Sequence, residues 1–179
     1  MSNQAFIDGQ NLKLGTYKTK PSWNVDLNRF RIYLNQKYDV SEAYYFIGAY
    51  DSKNQELYNA LQEFGYNVVF REHAESALSK KKGNVDTDIV FAVMKSLIEK
   101  EKFDKVVLVS GDGDYWRMVD YLIKKGKFGK LLAPSRKNLS SLYKRKMADT
   151  YRVYLDDPAV RKKIELKRKR KTIKKAGSP

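Results

Sequence analysis

The 179-residue chain contains no cysteine and a single histidine, His73. The lack of cysteine excludes disulfide bonds, zinc sites built on thiolates and a cysteine nucleophile. The scarcity of histidine excludes any centre that needs two or three imidazole ligands. Carboxylates therefore remain as the main candidates for metal binding and for acid–base chemistry.

Long apolar runs are also missing from the sequence. No stretch approaches the roughly 18 apolar residues that a membrane span needs. The first twelve residues do not show the basic region and long apolar run of a signal peptide. We therefore expect a cytoplasmic protein. The hydrophobic fraction of 42% is typical of a globular chain, and the length indicates one domain.

Positive charge is in large excess and is unevenly distributed. The formal net charge is +15. Residues 161–179 hold ten Lys or Arg and one Glu and carry +9, while the preceding 160 residues hold 26 basic and 20 acidic residues and carry +6. A solvated surface that keeps the protein soluble is one interpretation. Because the excess persists in the body of the chain, we favour binding of nucleic acid.

Apolar segments alternate with helical patterns along the chain. Strands are predicted at 4–8, 43–47, 67–71, 105–110, 130–133 and 152–155, with a sharp exit from the first strand at Gly9. Helices are predicted after Asp26 and at 52–64, 86–98, 116–125 and 138–146. This alternation predicts an α/β fold with three α/β/α layers and a mostly parallel central sheet. We expect one domain over residues 1–158 and a basic, disordered tail over 159–179.

Several aspartates are predicted to meet at one edge of this sheet. In an open parallel sheet, ligands bind beyond the carboxyl ends of the strands. Asp8 ends the first strand, and Asp112 and Asp114 follow the fourth. Asp86 joins them because it extends the apolar stripe of its helix. Asp88 lies about 200° around that helix from Asp86 and is ranked lower.

Each aspartate also has a structural interpretation. Asp86 is a good helix N-cap, and the other aspartates stand next to glycines in sequences that favour turns. Turns alone do not explain why all of them fall at one edge of the sheet. Converging carboxylates repel one another unless a cation lies between them. Oxygen-only ligands suit Mg²⁺ or Mn²⁺, which can activate water and polarise a phosphate.

Three segments resemble the motifs of the NYN domain, a family of the PIN-like nucleases. They are FIDGQNL at residues 6–12, KKGNVDTDIV at 81–90 and VLVSGDGDYWRMV at 107–119. They occur in the family's order within residues 4–134. The resemblance implies a PIN-like fold, Mg²⁺ or Mn²⁺ as cofactor and RNA as substrate. The chain departs from the usual motifs at Asn84, which is an added residue, at Tyr115, where Phe is usual, and at Arg117, near a frequent Pro.

The resemblance also implies roles for individual residues. The implied catalytic and metal-binding residues are Asp8 and Asp112, as the principal metal ligands, with Asp86 and Asp114 as further acidic members. The supporting residues are Asn11, Ser110, Gly111 and Asp88. We expect RNA contacts from basic residues in the loop before the 86–98 helix, on the 116–125 helix and in the tail: Lys80, Lys81, Lys82, Arg117, Lys167, Arg168, Lys169, Arg170 and Lys171.

Three functions remain open at the level of the sequence. The first is a metal-dependent ribonuclease that acts through the aspartates. The second is an RNA-binding module with the same fold and little or no catalytic activity. The third is a phosphatase for a small substrate, which the +15 charge argues against. The full set of aspartates favours the ribonuclease.

Overall fold

A six-stranded sheet with all strands parallel forms the centre of the computed structural model, which describes residues 2–71, 85–99 and 102–167. The strands are β1 Asn3–Asp8, β2 Val40–Ile47, β3 Asn67–Phe70, β4 Val106–Val109, β5 Phe128–Ala133 and β6 Arg152–Tyr154. The helices are α1 Gly9–Tyr17, α2 Leu27–Tyr38, α3 Gln55–Glu63, α4 Asp86–Ile98, α5 Trp116–Lys124, α6 Ser141–Lys146 and α7 Pro158–Ile164. No helix within the described ranges is long and apolar enough to cross a membrane.

The strand order places the predicted aspartates beside each other. The sheet runs β3-β2-β1-β4-β5-β6, so β1 lies between β2 and β4. The chain first builds the sheet outwards on one side of β1 and then returns to build it on the other. Ligands bind at such a switch point, beyond the carboxyl ends of the two central strands. Asp8 ends β1, and Asp112 follows β4 in the adjacent position.

Both faces of the sheet are covered by helices. Side chains of β1 alternate between the faces, so Phe6 joins a core cluster with residues of α4, α5 and α6. Ile7 joins a second cluster with residues of α1, α2, α3 and α7. The four consecutive valine and leucine residues of β4 are buried and divide between the two clusters in the same way. The predicted three-layer α/β/α fold is therefore confirmed.

The first helix was not predicted. The chain leaves β1 at Gly9, as we expected, but it enters α1 directly at that residue. Two glycines make the helical pattern of the segment weak, since glycine disfavours a helix interior. Both lie at close contacts: a Cβ on Gly9 would lie 2.3 Å from the Tyr45 ring, and one on Gly15 would lie 2.5 Å from the Cβ of Pro134. Tertiary packing therefore holds this helix in place.

The C-terminal end of the described chain is packed rather than free. We placed the end of the domain at residue 158, but α7 begins there and buries Ile164 in the second cluster. The amide of Leu166 then donates to the carbonyl of Asn24. Residues 159–166 of the predicted tail are thus part of the fold. The prediction of a disordered tail concerns residues 168–179, which lie outside the described residues.

Gly15→Ala is expected to destabilise the protein, because Pro134 cannot move away easily. Overpacking costs about 1–3 kcal/mol, which exceeds the ~1 kcal/mol that alanine gains over glycine in a helix. Gly48→Ala is the control, since among the residues that the structure describes no atom beyond the chain neighbours of Gly48 lies within 4 Å of a Cβ there. Urea unfolding measures both variants. A Gly15→Ala protein as stable as the Gly48→Ala protein would contradict the packing of α1 against Pro134.

Candidate active site

Asp8 joins the central strand to the first helix. It is the last residue of β1 and the N-cap of α1, and its carboxylate accepts a hydrogen bond of 2.8 Å from the backbone N–H of Asn11. It is only 4% exposed. Burial raises the pKa of the Asp8 carboxyl above its ordinary value of 3.8. The negative charges of Asp86 and Asp112 raise this pKa further, while hydrogen bonds from Asn11 and Tyr115 oppose the shift.

The loop after β4 is fixed by short hydrogen bonds. The N–H of Gly111 donates to Oδ1 of Asn11 at 2.8 Å, which ties this loop to α1. The N–H of Asp112 donates to the buried Ser110 hydroxyl at 3.1 Å. Asp112 in turn caps a short 3-10 turn, and its carboxylate accepts from the N–H of Asp114 at 3.0 Å. The predicted supporting residues of this loop therefore hold Asp112 in place.

Three carboxylates converge at this edge of the sheet. One oxygen from each of Asp86, Asp112 and Asp114 lies within 4.8 Å of the others. Asp86 is the first residue of α4 and is 8% exposed. Asp8 is not a member of this group, but it lines a cavity of about 400 Å³ together with Asp86 and Asp112. The structure thus brings the four predicted aspartates to one edge of the sheet, with Asp8 buried and Asp114 exposed.

Tyr115 connects two of these carboxylates. Its side chain is fully buried, and its hydroxyl lies 2.5 Å from Asp86 and 3.2 Å from Asp8. The single hydroxyl hydrogen can be donated to one carboxylate at a time. Burial and the neighbouring negative charges raise the pKa of Tyr115, so it stays a donor. The sequence showed Tyr where the family usually has Phe, but the spacing of residues did not reveal that the Tyr115 hydroxyl contacts two aspartates.

A second tyrosine, which the sequence analysis did not select, lies behind the group. Tyr143 of α6 is fully buried, and its hydroxyl has no hydrogen-bond partner in the part of the chain that the structure describes. Burial raises the pKa of Tyr143, and the charges of Asp112, Asp114 and Asp86 raise it further. Buried hydroxyls in folded proteins normally have a partner. Tyr143 is thus close enough to the three carboxylates to be affected by their charge, although it does not line the cavity.

The chemistry of this group fits a small divalent cation. Its candidate ligands are carboxylate oxygens, which Mg²⁺ and Mn²⁺ prefer. Three carboxylates within 4.8 Å repel one another unless a cation offsets their charge. The predicted pairing of Asp8 with Asp112 as principal ligands stays a prediction, because Asp8 lies outside the closest group.

The other predicted residues are placed in different ways. Asp88 neither lines the cavity nor joins the group, and its Oδ2 is buried without a hydrogen-bond partner within the described ranges. Arg117 is exposed on α5, and Lys167 lines a separate groove. The remaining predicted RNA-binding residues lie outside the described residues: Lys80, Lys81, Lys82, Arg168, Lys169, Arg170 and Lys171.

Asp8→Asn is expected to stabilise the metal-free protein at neutral pH. A folded-state pKa above the ordinary value means that stability is present at low pH and is lost as the pH rises through the folded pKa. Asparagine does not ionise, so the variant does not lose stability in this way as the pH rises. Its side chain still caps the helix. Urea unfolding in EDTA measures the difference in stability between the variant and the parent. The measurement runs from neutral pH to about pH 4, where aspartate ordinarily titrates, and the difference should shrink as the pH falls.

Asp26→Asn is the matched control for this experiment. Asp26 caps α2 through the same kind of bond, to the N–H of Arg29, and lies outside the aspartate group. Its replacement shows what the change from Asp to Asn at a helix N-cap does by itself. An Asp8→Asn protein that is less stable than the parent at neutral pH would show that the buried Asp8 charge does not destabilise the folded protein.

Comparisons with known proteins identify the family of the chain and support its fold. The family model of the NYN domain matches residues 4–156. The low amplitude and bright protein LabA of Synechococcus elongatus is 31% identical over 129 residues, which cover 67% of this chain and 67% of that protein. A protein of unknown function from Vibrio parahaemolyticus has the same fold, with a TM-score of 0.73 and 23% identity over 92% of this chain and 96% of that one. The chain belongs to the NYN domain family, within the PIN-like nucleases.

Proposed function

We propose that this protein is a ribonuclease that hydrolyses RNA phosphodiester bonds with the help of bound Mg²⁺ or Mn²⁺. The observation that carries the proposal is the convergence of Asp86, Asp112 and Asp114, with one oxygen of each within 4.8 Å of the others. The group lies at the carboxyl edge of the two central strands, where parallel sheets bind ligands. Membership of the NYN family supports the same activity.

The three converging carboxylates would hold the ion, and Asp8 would face it from the other side of the cavity. When bound, the ion polarises the scissile phosphate and lowers the pKa of the attacking water. Tyr115 holds the carboxylates of Asp8 and Asp86 at a fixed spacing, because its hydroxyl lies between them.

RNA rather than a small phosphate ester is the proposed substrate because the basic surface extends far beyond the cavity. Residues 1–160 still carry +6 of the net charge of +15, and Lys18 is one of the residues that line the cavity. In this proposal, the lysines at 80–82 and the basic residues at 167–171 add further phosphate contacts. Cytoplasmic RNA is the proposed pool of substrate.

Asp112→Asn is expected to abolish cleavage while RNA binding persists. The change removes one ligand charge and keeps nearly the same shape, so Mn²⁺ affinity and cleavage should fall at least about 100-fold, more than is typical for a residue outside the ligand shell. Labelled RNA is incubated with Mg²⁺, Mn²⁺ or EDTA, and affinity is measured separately. Asp120→Asn is the control, because Asp120 pairs with Lys124 on the α5 surface, outside the group.

The outcome separates the two functions that the fold permits. If the protein binds RNA but shows no metal-dependent cleavage, the RNA-binding module of the same fold is the correct function. If the Asp112→Asn protein cleaves RNA at the parent rate, the proposed active site is misplaced. Loss of cleavage in both the Asp112 and the Asp120 variants would indicate a general charge effect rather than a ligand effect.

Deletion of residues 168–179 is expected to weaken RNA binding and to spare catalysis at saturating RNA. The deletion removes six Lys or Arg and no acidic residue, and it keeps α7 with its buried Ile164. The log–log salt dependence of affinity should flatten by about 0.7 for each phosphate of single-stranded RNA that the protein no longer neutralises. Binding measured over a salt series tests this. An unchanged slope would show that the basic run touches no phosphate.

A further inference from the structure

One face of α1 leads away from the aspartate cavity. Gln10, Leu14 and Lys18 all line the cavity, and their spacing of four residues places them in one row along the helix. From Gln10 to Lys18 the helix rises about 12 Å, which is about the length of three stacked nucleotides at roughly 3.4 Å each. The row therefore provides a path from the aspartates to the far end of α1.

A second groove begins where this row ends. Tyr17, next to Lys18, lines it together with Trp23 and Lys167, and its volume is about 620 Å³. The side chain of Tyr17 is 64% exposed. The indole N–H of Trp23 is buried and has no acceptor in the described part of the chain. At Lys167 the groove reaches the start of the basic run KRKRK.

The electrostatic character of this path suits a polyanion. Between Asp8 and Asp26 the chain contains Lys13, Lys18 and Lys20 and no acidic residue. Across the ranges that the structure describes, none of these lysines forms an ion pair. The acidic residue that lines the second groove, Glu165, is already held by Arg161 at 2.6 Å. Free cations and an exposed aromatic ring thus lie side by side.

We propose that Leu14, Tyr17 and Lys18 form a track for the single-stranded RNA that leaves the aspartate cavity. Tyr17 stacks on an unpaired base, Lys18 contacts a phosphate, and the strand continues past Trp23 to Lys167. Single-stranded RNA is the ligand, because a base within a duplex has no free face for the tyrosine. The track rests on the proposed ribonuclease function and specifies how the substrate is held.

Binding measurements in the Asp112→Asn background test the track without cleavage. A labelled oligouridylate probes bases and phosphates together, and polyphosphate probes charge alone. Tyr17→Ala should weaken oligouridylate binding between about fivefold and 100-fold, and it should leave polyphosphate binding unchanged. Tyr17→Phe keeps the ring and should bind like the parent. Lys18→Ala should weaken both ligands and flatten the salt slope by about 0.7.

Lys13→Ala is the matched control for Lys18→Ala. Lys13 lies on the same helix and carries the same charge, but it lines a pocket on another face with Val25 and Tyr45. The track is overturned if Lys13→Ala and Lys18→Ala have equal effects, or if Tyr17→Ala binds oligouridylate like the parent. In either case the ribonuclease proposal stands. If the Asp112→Asn protein binds no RNA at all, the RNA substrate and the track are both wrong.

Discussion

Repulsion between aspartates held at one edge of the sheet is the constraint on which the local structure depends. Asp86, Asp112 and Asp114 lie within 4.8 Å of one another, and Asp8 is buried beside them. The fold offsets part of this repulsion with hydrogen bonds from its own backbone and from Tyr115. These bonds begin α1 and the turn after β4, so the same contacts build the fold and hold the charges. The remaining repulsion favours a bound cation.

Small residues allow the elements around the aspartates to approach so closely. A Cβ on Gly113 would lie 2.4 Å from the Ser140 hydroxyl oxygen, and one on Gly111 would lie 3.2 Å from the carbonyl oxygen of Asn138. The segment that starts α6 therefore lies directly on the loop after β4. This contact brings Tyr143 behind the carboxylates, where its hydroxyl has no partner among the described residues. The glycines of the motif thus act through packing as well as through turn geometry.

Sequence patterns predicted the features that follow from strand ends and apolar periodicity. Consecutive apolar residues identified β1 and β4, and the switch-point rule placed Asp8 and Asp112 side by side. The patterns failed where tertiary contacts decide the structure. Helix α1 has a weak apolar pattern and is held by its packing, and a buried tyrosine such as Tyr115 has the same periodicity as a core residue. The hydrogen bonds of the Tyr115 hydroxyl require α4 to lie against the loop after β4. The spacing of residues within either segment does not reveal this long-range contact.

The arrangement of charge around the cavity has a consequence for how ion and RNA bind. Four aspartates repel a phosphate at the site, whereas Lys18 and the uncompensated lysines near it attract one. Ionic screening limits such forces to about 8 Å at physiological salt, so the distant basic residues cannot offset the repulsion within the cavity. In the proposed ribonuclease, an ion bound there would remove this repulsion and raise the affinity for RNA. By thermodynamic linkage, bound RNA would then raise the affinity for the ion by the same factor. The proposed metal site and the proposed RNA surface would therefore be coupled, although different residues form them.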